Sequence, residues 1–114
     1  MIYTEERGWG SFHVLEEHAG FKVKRIQVKQ GGRLSLQSHK HRSEHWTVVN
    51  GEATVTVNDR VLVMTRGQSI DVPLGAIHRL ENFHSTVLDL IEVQFGDYLG
   101  EDDIVRYDEN SARP

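Results

Sequence analysis

Seven histidines in 114 residues, three of them within seven positions, are the part of this sequence best equipped for chemistry. Imidazole is the commonest protein ligand for divalent transition metals, and it titrates near neutrality. The cluster is His39, His41 and His45, with Gln37 just ahead of it and Glu44 inside it. In an extended chain residues two apart share a face. Gln37, His39 and His41 therefore project together, and Glu44 from the following strand can meet them. Nitrogen and oxygen donors of this kind suit Zn first, and Mn, Fe, Co or Ni as well. The chain has no cysteine, so thiolate ligands and disulfides are excluded. His13, His18 and His84 stand alone and read as structural or solvated. His45 alternates outward from Glu44 to the surface or rim, and Trp46 returns inward as core or cavity wall.

Strands must position this cluster, because helical periodicity is nearly absent. Short β-branched runs alternate with turn signals every 8 to 12 residues, the pattern of a sandwich or barrel. The expected strands are 11–16, 21–29, 33–41, 44–49, 52–57, 61–65, 70–72, 77–81 and 86–94, with Asn58-Asp59 as a two-residue hairpin turn. About ten strands in a chain this short imply a closed or nearly closed all-β architecture. The length fits one domain over 1–114. A net charge of −4 leaves no cationic excess for nucleic acid, and no apolar run reaches the roughly 18 residues that span a bilayer. The cytoplasm is the expected compartment.

Two spacings refine the site. Gly67, five residues, Pro73, one, Gly75, two, His78, three, Asn82 resembles the second cupin motif at every fixed position. Its logic is a tight corner that delivers His78 to the inner face of the next strand. Gly31, five residues, Gln37, one, His39, four, Glu44, six, Gly51 resembles the first cupin motif, with Gln37 where that pattern usually has His. The resemblance implies a cupin double-stranded β-helix, a jelly-roll barrel, holding one divalent metal on Gln37, His39, Glu44 and His78. A rival register pairs His39 with His41. Spacing favours Gln37, whereas ligand strength favours the imidazole of His41.

Longer strings narrow the resemblance. The run from Arg33 to Trp46, His78-Arg-Leu-Glu-Asn82, Leu90-Ile-Glu-Val-Gln94 and Tyr98-Leu-Gly-Glu-Asp-Asp-Ile-Val-Arg106 resemble the cupin domain of type II phosphomannose isomerases. That domain usually forms the C-terminal part of bifunctional mannose-1-phosphate guanylyltransferase/mannose-6-phosphate isomerases, whose nucleotidyl half has no counterpart in this sequence. Arg7-Gly-Trp-Gly-Ser-Phe12 resembles the family's entry, with Gly8 in place of Pro, and Asn110–Arg113 departs from the family's usual ending. Ser35-Leu-Gln-Ser-His39 and His41-Arg-Ser-Glu44 also look like strings of the zinc-dependent type I isomerases, which supports Gln37 as ligand.

The resemblance implies interconversion of mannose 6-phosphate and fructose 6-phosphate through a cis-enediol. His41 is the candidate base and Arg33, of inward parity, the candidate phosphate clamp. Arg79 is expected to point outward; Lys22, Lys24, Arg106 and Arg113 could each fold over the mouth of the cavity, with surface solvation the preferred reading. Outward-facing Leu34 and Leu36 fit a homodimer. A non-catalytic sugar-phosphate-binding module and an iron-dependent dioxygenase on the same ligands are the competing readings.

Overall fold

The computed structural model describes residues 1–107, and every regular element among them is a β-strand. They run β1 (Tyr3–Arg7), β2 (Gly10–His18), β3 (Phe21–Val28), β4 (Gln37–Ser38), β5 (Arg42–Asn50), β6 (Glu52–Val57), β7 (Arg60–Thr65), β8 (Ser69–Val72), β9 (His78–Glu81), β10 (Leu88–Gly96) and β11 (Val105–Arg106). One sheet has the order β1-β2-β3-β10-β5-β8 and the other β11-β4-β9-β6-β7, all pairings antiparallel. The described residues contain no helix long and apolar enough to cross a membrane. Arg113 lies outside the described residues.

The inward faces of the long sheet explain where a core ends and a site begins. Across β3, β10 and β5 the register aligns Ile26, Leu90 and Val48 in one row. The next rows are Lys24, Glu92 and Trp46, then Lys22, Gln94 and Glu44. All nine side chains are buried. One end of the interior is thus an apolar core, joined by Val55 and Leu80 from the facing sheet. The other end buries charge, which persists only where it is paired. Trp46 stands at the boundary.

One corner passes between the sheets and a tight turn closes a hairpin within the second. At Gly51 the chain leaves β5 and enters β6 of the other sheet with φ +87°, and a Cβ there would come within 2.7 Å of the Val87 carbonyl oxygen. Only glycine meets both demands. The Asn58-Asp59 turn joins β6 and β7 with Val57 opposite Arg60, and Asn58 takes a positive φ, as the turn chemistry requires.

Three expectations need correction. The strand expected over 33–41 is only the two residues of β4 plus an isolated bridge between Arg33 and Glu81. β1 and β11 were not expected from the pattern, because β1 is an exposed edge without apolar alternation and β11 is two residues long. Leu34 packs against the core and lines the cavity rather than facing outward.

Asn82, which closes the second motif, is fully buried. Its amide donates to the carbonyls of Val28 and Thr86, and its oxygen accepts the His84 amide, so it pins the 82–86 loop to β3. Asn82→Ala leaves the buried Val28 carbonyl short of this donor and frees the Thr86 carbonyl, which should cost roughly 1–3 kcal/mol. Urea unfolding measures this; a loss under about 0.5 kcal/mol would contradict the staple.

Candidate metal centre

The corner Pro73-Leu74-Gly75 aims His78. Gly75 has φ +81° and donates to the His39 carbonyl, Ala76 donates to that of Pro73, and β9 then starts with His78 facing in. Glu44 comes from the charged end of β5, while His39 sits just beyond β4. Their donor atoms lie within 4.8 Å of one another, and all three residues are buried. His39 Nε2 is 3.3 Å from Glu44 Oε2, and His78 Nε2 is 3.8 Å from Glu44 Oε1. Donors bound at about 2.0–2.1 Å to a tetrahedral ion stand roughly 3.3 Å apart, so a small contraction seats one.

The tautomers also fit. His39 Nδ1 is 2.6 Å from the Asp103 carbonyl and His78 Nδ1 is 3.0 Å from that of Ala76. A carbonyl can only accept, so both Nδ1 atoms carry the proton and both Nε2 lone pairs face Glu44. Orientation by a backbone carbonyl on the far nitrogen is the usual support of a metal-binding histidine. Burial, and after it the neighbouring Arg42, lower the His39 pKa to about 4; burial likewise lowers that of His78. Both rings are therefore neutral at pH 7, as ligation requires.

Asp103 decides where the other candidates go. Its carboxylate accepts from the Lys40 and His41 amides at 2.9 Å each, capping a tight loop directly after β4. Burial acts to raise its pKa, but these two amides hold it below the ordinary value. The loop breaks strand parity, so Ser38 and His39 are both buried while His41 turns out to solvent. There His41 Nδ1 is 3.6 Å from Asp97 and its ring meets Tyr98 edge-on. The structure does not bring His41 to the triad, and the inner-face position expected for it is corrected. Gln37 lies opposite His78 in the β4–β9 register and lines the same cavity, with its amide nitrogen donating to Ser35.

The cavity measures about 410 Å³, within the range of small-molecule sites. Arg33 lines it, with Nε 3.8 Å from Glu81. Arg79 also lines it, against the expected outward direction, and so does Arg106. Lys22 and Lys24 are only 2% and 4% exposed, against the preferred reading of solvated surface charges. The segment after β10 accounts for this: Lys22 donates to the Leu99 carbonyl, Lys24 lies 2.6 Å from Glu101, and the Lys24 ammonium sits over the Phe12 ring. Burial would raise the Glu101 pKa, yet the charge of Lys24 and the hydrogen bond from it keep it below the ordinary value.

Two cavity residues went unnoticed in the sequence although parity carried them. Arg42 shares its face with Glu44 and Trp46, and Glu92 shares its face with Leu90 and Gln94. Arg42 Nε donates to Glu44 Oε2 at 2.8 Å. Glu92 accepts from Trp46 Nε1 and Gln94 Nε2. Burial, then the charge of Glu44, raise its pKa to about 7.

Comparison with known proteins matches residues 2–109 to the family described as Mannose-6-phosphate isomerase C-terminal. The chain belongs to this family. It is 53% identical over 107 residues to the xanthan biosynthesis protein XanB of Xanthomonas campestris pv. campestris (strain B100), covering 94% of this chain and 23% of that protein. To the alginate biosynthesis protein AlgA of Pseudomonas aeruginosa the identity is 50%, covering 94% and 22%. To mannose-1-phosphate guanylyltransferase 2 of Escherichia coli O157:H7 it is 52% over 103 residues, covering 90% and 21%. The chain thus spans less than a quarter of the length of these relatives. Among solved structures, an RmlC-like cupin from Shewanella frigidimarina superimposes with TM-score 0.76 at 28% identity, covering 88% of this chain and 86% of that one. The Schizosaccharomyces pombe Cnp3 cupin domain gives 0.72 at 22%, covering 76% and 64%. This member of the isomerase family has the cupin fold.

The raised pKa of Glu92 has a definite sign. Below about 4.5 the carboxyl is protonated folded or unfolded and costs nothing; above that, only the unfolded chain releases the proton, and stability falls until pH passes about 7. His39 runs the other way, its penalty growing as pH falls from 6.5 toward 4. In the metal-free protein Glu92→Gln removes the first effect alone. Its stability relative to wild type should rise by roughly 2–3 kcal/mol between pH 5 and pH 8. Urea midpoints at the two pH values test this, and a gap that does not change with pH would refute it.

Proposed function

We propose that this family member is a divalent-metal-dependent aldose–ketose isomerase acting on mannose 6-phosphate and fructose 6-phosphate. One observation carries the reading: the buried His39–Glu44–His78 cluster reaches, through Glu44 and His78, a cavity whose lining also includes Arg7, Lys24, Arg33, Arg79 and Arg106. In a chain of net charge −4, that concentration of cations suits a phosphorylated small molecule. His39, Glu44 and His78 would hold the ion, with Gln37 as the neighbouring oxygen donor. Zinc fits this donor set first. When bound, the metal supplies Lewis-acid polarisation of a substrate oxygen.

The chain's own groups do the remainder. Arg33 clamps the phosphate from the cavity wall, where a planar guanidinium can offer two donors at once. Trp46 and Leu34 give the sugar an apolar wall, and the 98–106 segment closes one side against water. The proton that moves between neighbouring carbons needs an acceptor inside the cavity, a place His41 does not occupy. Of the cavity carboxyls, Glu44 belongs to the triad and Glu101 is held by Lys24, which leaves Glu92 as the group with reach.

The decisive experiment is turnover of mannose 6-phosphate by chelator-treated protein given Zn, Mn, Co, Ni or ferrous iron in turn. Activity should return with at least one ion, and no turnover with any of them would defeat the isomerase reading. Oxygen consumption with ferrous iron would favour the dioxygenase instead. Within an active protein, Glu44→Gln or His78→Ala should lower kcat/KM by at least about a hundredfold together with bound metal. Arg33→Gln should raise KM for the phosphorylated sugar about 10- to 100-fold with kcat little changed, the size of a lost charge-assisted contact. His41→Ala should leave kcat within about threefold of wild type.

A further inference from the structure

Arg42 occupies an unusual place for a cation. Its side chain is only 6% exposed, and two of its three nitrogens are spent on the atoms a metal would need. Nε donates to Glu44 Oε2 at 2.8 Å, and Nη2 lies 3.2 Å from His39 Nε2. Since His39 Nδ1 holds the ring proton for Asp103, the Nε2 facing the guanidinium is a bare lone pair. Arg42 therefore donates into the coordination position itself. The third nitrogen, Nη1, is buried without a hydrogen-bond partner on a residue that lines the cavity.

We propose that Arg42 is the resident cation of this site, which a divalent ion must displace from His39 and Glu44, so that Arg42 sets the metal affinity. The inference rests on the metal-holding reading of the triad. Two effects of Arg42 act in the same direction. Its contacts stabilise the metal-free state, and its positive charge repels an incoming dication. Displacement also frees Nε and Nη2, which join Nη1 as donors turned to the cavity beside the ion. An anionic oxygen, carboxylate or enediolate in kind, is the ligand group those donors accept. Metal and anion consequently favour each other's binding through one side chain, a reciprocal coupling.

The test is titration of metal-free protein with cobalt(II), followed by its visible absorption, for wild type and Arg42→Gln. The variant should bind cobalt at least tenfold more tightly than wild type. Oxalate, a simple dianion, should tighten cobalt binding to the wild type by more than it does for the variant, after correction for cobalt–oxalate complexation in solution. Equal or weaker cobalt binding by the variant would overturn the proposal. Should Arg42→Gln not fold, wild-type NMR decides: the Arg42 Nε–H resonance must move on saturation with zinc, and an unmoved resonance refutes displacement. Absence of binding by both proteins would instead defeat the metal reading itself, and this inference with it. Binding by the variant alone is the extreme form of the expected result.

Discussion

Glu44 is a carboxylate placed where water barely reaches, and a buried charge must be met by opposite charge, donors or a metal. It is met from several sides: Arg42 and Trp46 donate to it, and the Nε2 atoms of His39 and His78 stand 3.3 and 3.8 Å away. Arg42 and Trp46 flank it on β5 itself, whereas His39 and His78 come from segments that the fold must bring in separately. The shape of the barrel's charged end follows from satisfying this one group.

The segment after β10 completes the arrangement from far along the chain. The Asp103 carbonyl orients His39 across 64 residues of sequence, and its carboxylate forces the loop that turns His41 away. Two residues earlier in the chain, Glu101 neutralises Lys24 and lies 3.6 Å from Lys22. The half-buried Leu99, Ile104 and Val105 of this segment add apolar contact to these polar ties. Lysines that would otherwise be solvated become part of the interior because it covers them.

The inward rows also divide labour along the barrel. The Ile26–Leu90–Val48 end buries hydrocarbon and stabilises the fold, whereas the Lys22–Gln94–Glu44 end consumes some of that stability to hold polar groups ready. Trp46 serves both, with its ring edge against His78 and its Nε1 donating to Glu44 and Glu92. The cavity is lined both by the apolar Phe12, Leu34 and Trp46 and by the cations Arg33, Arg79 and Arg106. That polarity suits a ligand with a charged terminus and a reacting centre held away from water.

Much of this was legible from order and spacing alone. The all-β class, the hairpin at Asn58-Asp59 and the corner before His78 follow from local rules, because turn chemistry and alternation act over a few residues, and the resemblance to the cupin motifs nominated His39, Glu44 and His78. Parity failed where a remote carboxylate intervened: a strand drawn through His41 ignored the two amides that Asp103 captures. It also misjudged Arg79, and the usual exposure of charged side chains misjudged Lys22 and Lys24, since alternation tells which residues share a face and not which face another segment will cover. Glu92 had inward parity in plain view and Arg42 lay two residues before Glu44, just outside the expected strand, yet nothing local distinguishes a buried ion from a surface one. Whether a charge is solvated depends on what folds over it, and only the assembled barrel decides that.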